Sequence, residues 1–129
     1  MDPPAPAHLL ATHFAGRCGL VNLGNTCFLN SPLQALMAVF PACASALWRD
    51  IEDPHSNNAV AAVVYHQLVA MRHSDHVMRP QLVLDALRGL DAKFADEGLH
   101  DACEAMLKLV AVLPNLASVL ESKVHQTIE

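Results

Sequence analysis

The run Gly19-Leu20-Val21-Asn22-Leu23-Gly24-Asn25-Thr26-Cys27-Phe28-Leu29-Asn30-Ser31-Pro32-Leu33-Gln34 sets a cysteine where chemistry is feasible. A cysteine attacks as its thiolate, and that charge needs a stabilising neighbourhood. The start of a helix offers one through unpaired amide N–H groups and the helix dipole. Asn25 and Thr26 are cap-type residues directly before Cys27, so a helix beginning there puts the cysteine in its first turn. The same amides, joined by a nearby asparagine side chain, suit an oxyanion. Pro32 complicates this start, because a proline inside a helix costs about 3 kcal/mol. Either the helix kinks early, or Ser31 is the cap and Pro32 the first helical residue, which leaves Cys27 on the preceding turn. The competing reading is that Cys27 is one more small buried hydrophobe, the usual fate of a free cysteine. That fate is the expectation for Cys18, Cys43 and Cys103, the last falling on an apolar helical stripe.

A second constellation is Leu99-His100-Asp101-Ala102-Cys103-Glu104-Ala105-Met106-Leu107. On a helix Asp101 and Glu104 are i, i+3 and share a face away from the apolar residues. By itself this is an ordinary solvated face, with Glu104 and Lys108 forming an i, i+4 ion pair. His73-Ser74-Asp75-His76 offers metal-type side chains on a loop, but two or three loop ligands seldom hold zinc, and a solvated loop is expected. No metal and no cofactor are expected.

The elements that must position these residues are helical. Leu33, Leu36, Met37 and Phe40 form one apolar stripe, after which Pro41 interrupts and Ala42 to Trp48 make a further turn or helix. Val60, Val63, Val64, Leu68 and Met71 form a second stripe, with Asn57 or Asn58 as N-cap. Val83, Ala86, Leu87, Leu90 and Phe94 form a third, with Pro80 near its first turn. The fourth reads Leu99, Ala102, Cys103, Met106, Leu107, Val110 and Leu113. Pro114 then breaks the run, and Leu116, Val119, Leu120 and Val124 follow as a weaker fifth. No useful strand alternation occurs, so the spacing predicts an all-α unit. The Pro-rich residues 1–17 read as a flexible leader, and Gly19 to Asn25 as a turn or loop.

Bulk properties agree. A chain of 129 residues suits one domain, and 53% hydrophobic with 16% charged residues argues against disorder. The net charge of -5 and the lack of a basic stripe argue against a nucleic-acid surface. Four cysteines without a Cys-x-x-Cys pair fit a reduced compartment better than a disulfide scaffold. The N-terminus lacks a signal-peptide layout, and no apolar run is long enough to span a bilayer. A soluble intracellular protein, cytoplasmic or nuclear, is expected.

The stretch from Gly19 to Leu36 resembles the Cys box of the ubiquitin-specific proteases, papain-like thiol enzymes that cleave after the C-terminal glycine of ubiquitin. The resemblance implies Cys27 as nucleophile and Asn22 as the asparagine whose side chain helps form the oxyanion hole. It implies further that Gly24, Asn25 and Thr26 form the turn presenting the cysteine, and that Gln34 is the recurrent glutamine one turn into the helix. Residues 99–107 resemble the family's second box, usually Gln-Gln-Asp-Ala-x-Glu-Phe-Leu. Asp101, Ala102 and Glu104 agree, His100 stands for the second glutamine, Leu99 for the first, and Ala105 for the phenylalanine. By resemblance Asp101 and Glu104 lie near the channel for ubiquitin's arginine-containing tail.

Residues 18–129 thus correspond to the helical thumb of a hand-like catalytic domain, without counterparts of its palm and fingers. In the family a downstream His box supplies the base. None of the eight histidines here is followed by glycine, and no Gly-His-Tyr occurs. The expectation is a deubiquitinating cysteine hydrolase or its N-terminal part, with ubiquitin or a ubiquitinated protein as partner. The alternative is a catalytically incomplete pseudo-protease that binds ubiquitin or a partner chain. Self-association, or a palm half supplied in trans, is also expected if the palm-facing surface is exposed.

Overall fold

The computed structural model describes residues 27–74, 80–95 and 100–128, with only the backbone for Cys27 and residues 123–128. The leader, the turn before Cys27, and Asn22 lie outside the described residues. Six α-helices follow one another: α1 (Cys27–Ala38), α2 (Phe40–Glu52), α3 (Asn58–His73), α4 (Gln81–Leu90), α5 (Ala102–Val110) and α6 (Pro114–Ile128). A short 3-10 helix, Ala92–Ala95, follows α4. The described residues contain no strand, and the all-α expectation holds.

Prolines set much of this segmentation. Pro41 lies in the first turn of α2, where its missing N–H costs little, and the chain turns by 105° between α1 and α2 at Val39. Pro114 is likewise the first residue of α6. Asn57, one of two candidate caps, is the N-cap of α3, its side-chain oxygen accepting from the Val60 amide at 3.1 Å. No single helix among the described residues is long and apolar enough to cross a membrane.

The core sits where the apolar faces meet. α2 packs mainly on α3 and α6, α1 on α5, and α4 on α3 and α5. Leu33, Leu36, Met37 and Phe40 are all buried, as are Val60, Val64, Leu68 and Met71. Phe40 also lies under the Arg72 guanidinium, 5.5 Å from its ring centre. The third stripe divides: Val83 and Leu87 are buried on α4, whereas Phe94 is buried from the 3-10 helix.

The fourth stripe is corrected. Cys103 is exposed rather than buried, and Leu107 keeps 60% of its surface in solvent. The apolar candidates from Ala102 to Val110 spread over more of the helix than one packing face can take. The core uses the side bearing Ala105 and Leu109, both buried, and leaves Cys103 and Leu107, one turn apart, on the opposite side. Cys43 is buried as expected.

A buried carboxylate, absent from the sequence-based reading, ties three segments together. Asp50, near the end of α2, is fully shielded from solvent. Its Oδ1 accepts from Ser56 Oγ at 2.6 Å and from the backbone and side-chain nitrogens of Asn115 at 3.0 and 2.9 Å. Its Oδ2 accepts from the Leu116 amide at 3.0 Å. Asp50 therefore caps the first turn of α6 from another helix, satisfying amides that Pro114 and its neighbours leave without intrahelical acceptors.

Candidate active site

α1, described from Cys27, runs through Pro32 without a break, so Pro32 lies inside the helix and does not open it. Cys27 belongs to the same helix rather than to a turn before it. This course has a local cost: Pro32 has no N–H, so the Phe28 carbonyl lacks its usual partner four residues on. Side-chain packing supports this stretch where the ladder bond is missing. Leu29 and Leu33 are fully buried, and Phe28 keeps 4% exposure.

Phe28 meets two rings from distant parts of the chain. The Phe94 ring stacks on it, with centroids 5.6 Å apart and planes at 21°. The His100 imidazole approaches Phe28 edge-on at 5.1 Å and 73°, and also contacts Phe94 at 5.1 Å and 55°. The residue following Cys27 is thereby packed against the second residue of the 99–107 segment. Helix periodicity could not reveal this joint. Its members come from α1, the 3-10 helix and the chain leading into α5, and the legible signal was only that a chain with 5% aromatics holds Phe28 and Phe94. Ring pairs of this geometry contribute roughly 0.5–1.5 kcal/mol each beyond buried area.

The acidic pair serves this scaffold directly. Asp101 is not within α5 but caps it, Oδ1 accepting from the Cys103 and Glu104 amides at 2.7 and 3.2 Å. Glu104, in the first turn, is ion-paired with Lys93 of the 3-10 helix. The expected Glu104–Lys108 pair is replaced: Lys108 reaches Asp91 at 3.0 Å, because the chain after α4 brings that carboxylate beside α5. The amide of Lys93 and the ammonium of Lys108 together hold the Asp91 carboxyl below the usual carboxylate range. Arg88 Nε closes the arrangement by donating to the Phe94 carbonyl at 3.1 Å.

Asn22, Gly24, Asn25 and Thr26 lie outside the described residues, and Gln34 is exposed on α1. His73 ends α3, while Asp75 and His76 also lie outside them. Among the described residues no three histidine, cysteine or acidic side chains group as a metal site would.

Comparison with known proteins places this architecture. The family model for ubiquitin carboxyl-terminal hydrolase matches residues 18–128, so both boxes and all six helices fall within it. Human ubiquitin carboxyl-terminal hydrolase 30 is 40% identical over 81 residues, covering 54% of this chain and 16% of the relative. Ubiquitin carboxyl-terminal hydrolase 36 of Drosophila erecta is 30% identical over 104 residues, 74% of this chain and 9% of the relative. Ubiquitin carboxyl-terminal hydrolase 23 of Arabidopsis thaliana is 33% identical over 95 residues, 71% of this chain and 11% of the relative. The chain belongs to the ubiquitin carboxyl-terminal hydrolase family, of the ubiquitin-specific protease type. It spans at most 16% of the length of these relatives.

Proposed function

We propose that this chain is the nucleophile-bearing thumb of a cysteine-type deubiquitinase, hydrolysing the bond after the C-terminal glycine of ubiquitin. The family match across residues 18–128, which takes in both boxes, carries the reading. In this reading the Cys27 thiolate attacks the carbonyl carbon of that glycine, and the oxyanion is held by the Asn22 side chain and the Cys27 amide. Collapse forms the thioester and expels the amine, which takes up a proton. Water then releases ubiquitin and regenerates the thiol. Asp101 and Glu104 receive the basic tail of ubiquitin, with Glu104 exchanging its Lys93 partner for an arginine. None of the eight histidines has the family's His-box pattern, so the proton acceptor is assigned to a palm half, in cis or in trans.

The test is ubiquitin carrying a cysteine-reactive group at its C-terminus, followed by intact mass. A single ubiquitin adduct on the wild-type chain, abolished by Cys27→Ala, is the expected result. A folded chain that forms no adduct while still shifting in a ubiquitin titration would identify a binding-only relative. Neither adduct nor binding would remove both readings.

A further inference from the structure

We propose that His100 is a positioning residue for Cys27, acting through the Phe28 ring to fix the stretch of α1 that carries it. The proposal rests on Cys27 being the nucleophile and adds a residue to its support. Three observations converge on it. Pro32 removes the ladder bond to the Phe28 carbonyl, so packing around Phe28 supports the stretch of α1 that carries Cys27. Phe28, the residue attached to Cys27, has its ring closed in by Phe94 and His100 together. His100 touches both phenyl rings, so it locks the pair rather than merely flanking one of them.

The position of His100 is itself tightly defined. The next residue, Asp101, is the N-cap of α5, so the backbone at His100 is anchored by the start of that helix. Lys93 lies 5.5 Å from the Phe94 ring centre and pairs with Glu104, which ties the other side of the aromatic cluster to the same helix. The imidazole thus transmits the placement of α5 to the turn that carries Cys27. A thiolate at a helix start gains from amides that point at it, and loses that gain when the turn frays. A positioning side chain here therefore acts on the thiol's reactivity through the turn that carries it.

The experiment uses the whole chain and its own cysteines as internal standards. The rate of iodoacetamide alkylation is followed against pH by peptide mass at Cys27, at exposed Cys103 and at buried Cys43. Wild type is compared with His100→Gln, which keeps a polar chain but no ring, and with His100→Phe, which keeps a ring. Both variants remove the ionisable imidazole, so a difference between them isolates ring packing from charge. The expected result is that His100→Gln moves the Cys27 profile to higher pH and slows its alkylation at pH 7 by about two- to fivefold, the range set by helix-terminus effects. His100→Phe stays at the wild-type profile, and Cys103 and Cys43 are unaltered in both. Identical Cys27 profiles in all three proteins would overturn the proposal, as would equal shifts in both variants. A Cys43 that becomes reactive in step with Cys27 would also overturn it, by showing a global rather than a local role. A wild-type Cys27 no more reactive than Cys103 would instead count against the nucleophile assignment itself.

Discussion

The Asp101 carboxylate already has a partner set within the chain, since its Oδ1 accepts two amides at the start of α5. The proposed contact with a basic ubiquitin tail asks for its charge, whereas the cap asks only for an acceptor oxygen. Two substitutions separate the demands. Asp101→Ala removes the acceptor and is expected to lower stability by about 1 kcal/mol, read as a drop in the urea midpoint. Asp101→Asn keeps an acceptor in place and should leave the midpoint within a few tenths of a kcal/mol of wild type. If the charge is used for ubiquitin, the Asn variant nonetheless weakens ubiquitin binding in an NMR titration. Unchanged affinity in that folded variant would confine Asp101 to its capping role. Glu104 presents a different case: its partner Lys93 is a half-exposed ammonium, and such surface pairs contribute little, so exchange for another cation is cheap.

At the scale of elements, the helices were legible because the burying residues recur at 3.6-residue spacing and the breaks coincide with prolines. Val60, Val64, Leu68 and Met71 are buried as that spacing predicts, and Pro41 and Pro114 open helices as proline chemistry favours. The spacing failed on α5, where apolar residues occupy too wide an arc to choose a face, and tertiary packing chose Ala105 and Leu109. The candidate site was legible in its two boxes but not in its joint. Phe28 lies more than sixty residues before Phe94 and His100, and nothing local marks it as their neighbour. Asp50 was illegible for the same reason, its acceptors serving Asn115 and Leu116 more than sixty residues later. Its importance is testable. Asp50→Ala leaves the first amides of α6 and the Ser56 hydroxyl without their acceptor, and should cost about 2–4 kcal/mol. The expected loss appears in the urea midpoint. It should be accompanied by faster hydrogen exchange at the start of α6 than in α1. A midpoint equal to wild type would show that water replaces the carboxylate at no cost.

For the whole molecule, two acidic side chains reinforce joints that the core also makes. Asp53 accepts from the His55 amide at 2.8 Å and from Asn115 Nδ2 at 2.9 Å, linking the end of α2 to α6. Asp91 links the end of α4 to α5 through Lys108. In each, hydrogen bonds to the ionised form hold the carboxyl below its ordinary value: chiefly the His55 amide, then Asn115, for Asp53, and chiefly the Lys93 amide, then Lys108, for Asp91. A carboxyl depressed in the folded chain binds its proton more readily when unfolded. Its stabilisation is therefore complete above the unfolded value of about 4 and is lost as pH falls through the lower folded value. Stability of the chain should accordingly be steady from pH 7 to about 5 and decline toward pH 3. The Asp53→Asn/Asp91→Asn variant assigns the loss to these two groups, because it removes both carboxyls and keeps every other ionisable side chain. It should be less stable than wild type at pH 7 and converge on it near pH 3, as read from urea midpoints at the same ionic strength. Parallel curves with a constant gap down to pH 3 would mean that the acid sensitivity resides elsewhere, and that α5 and α6 are docked by apolar contact and the Asp50 cap rather than by these surface carboxylates.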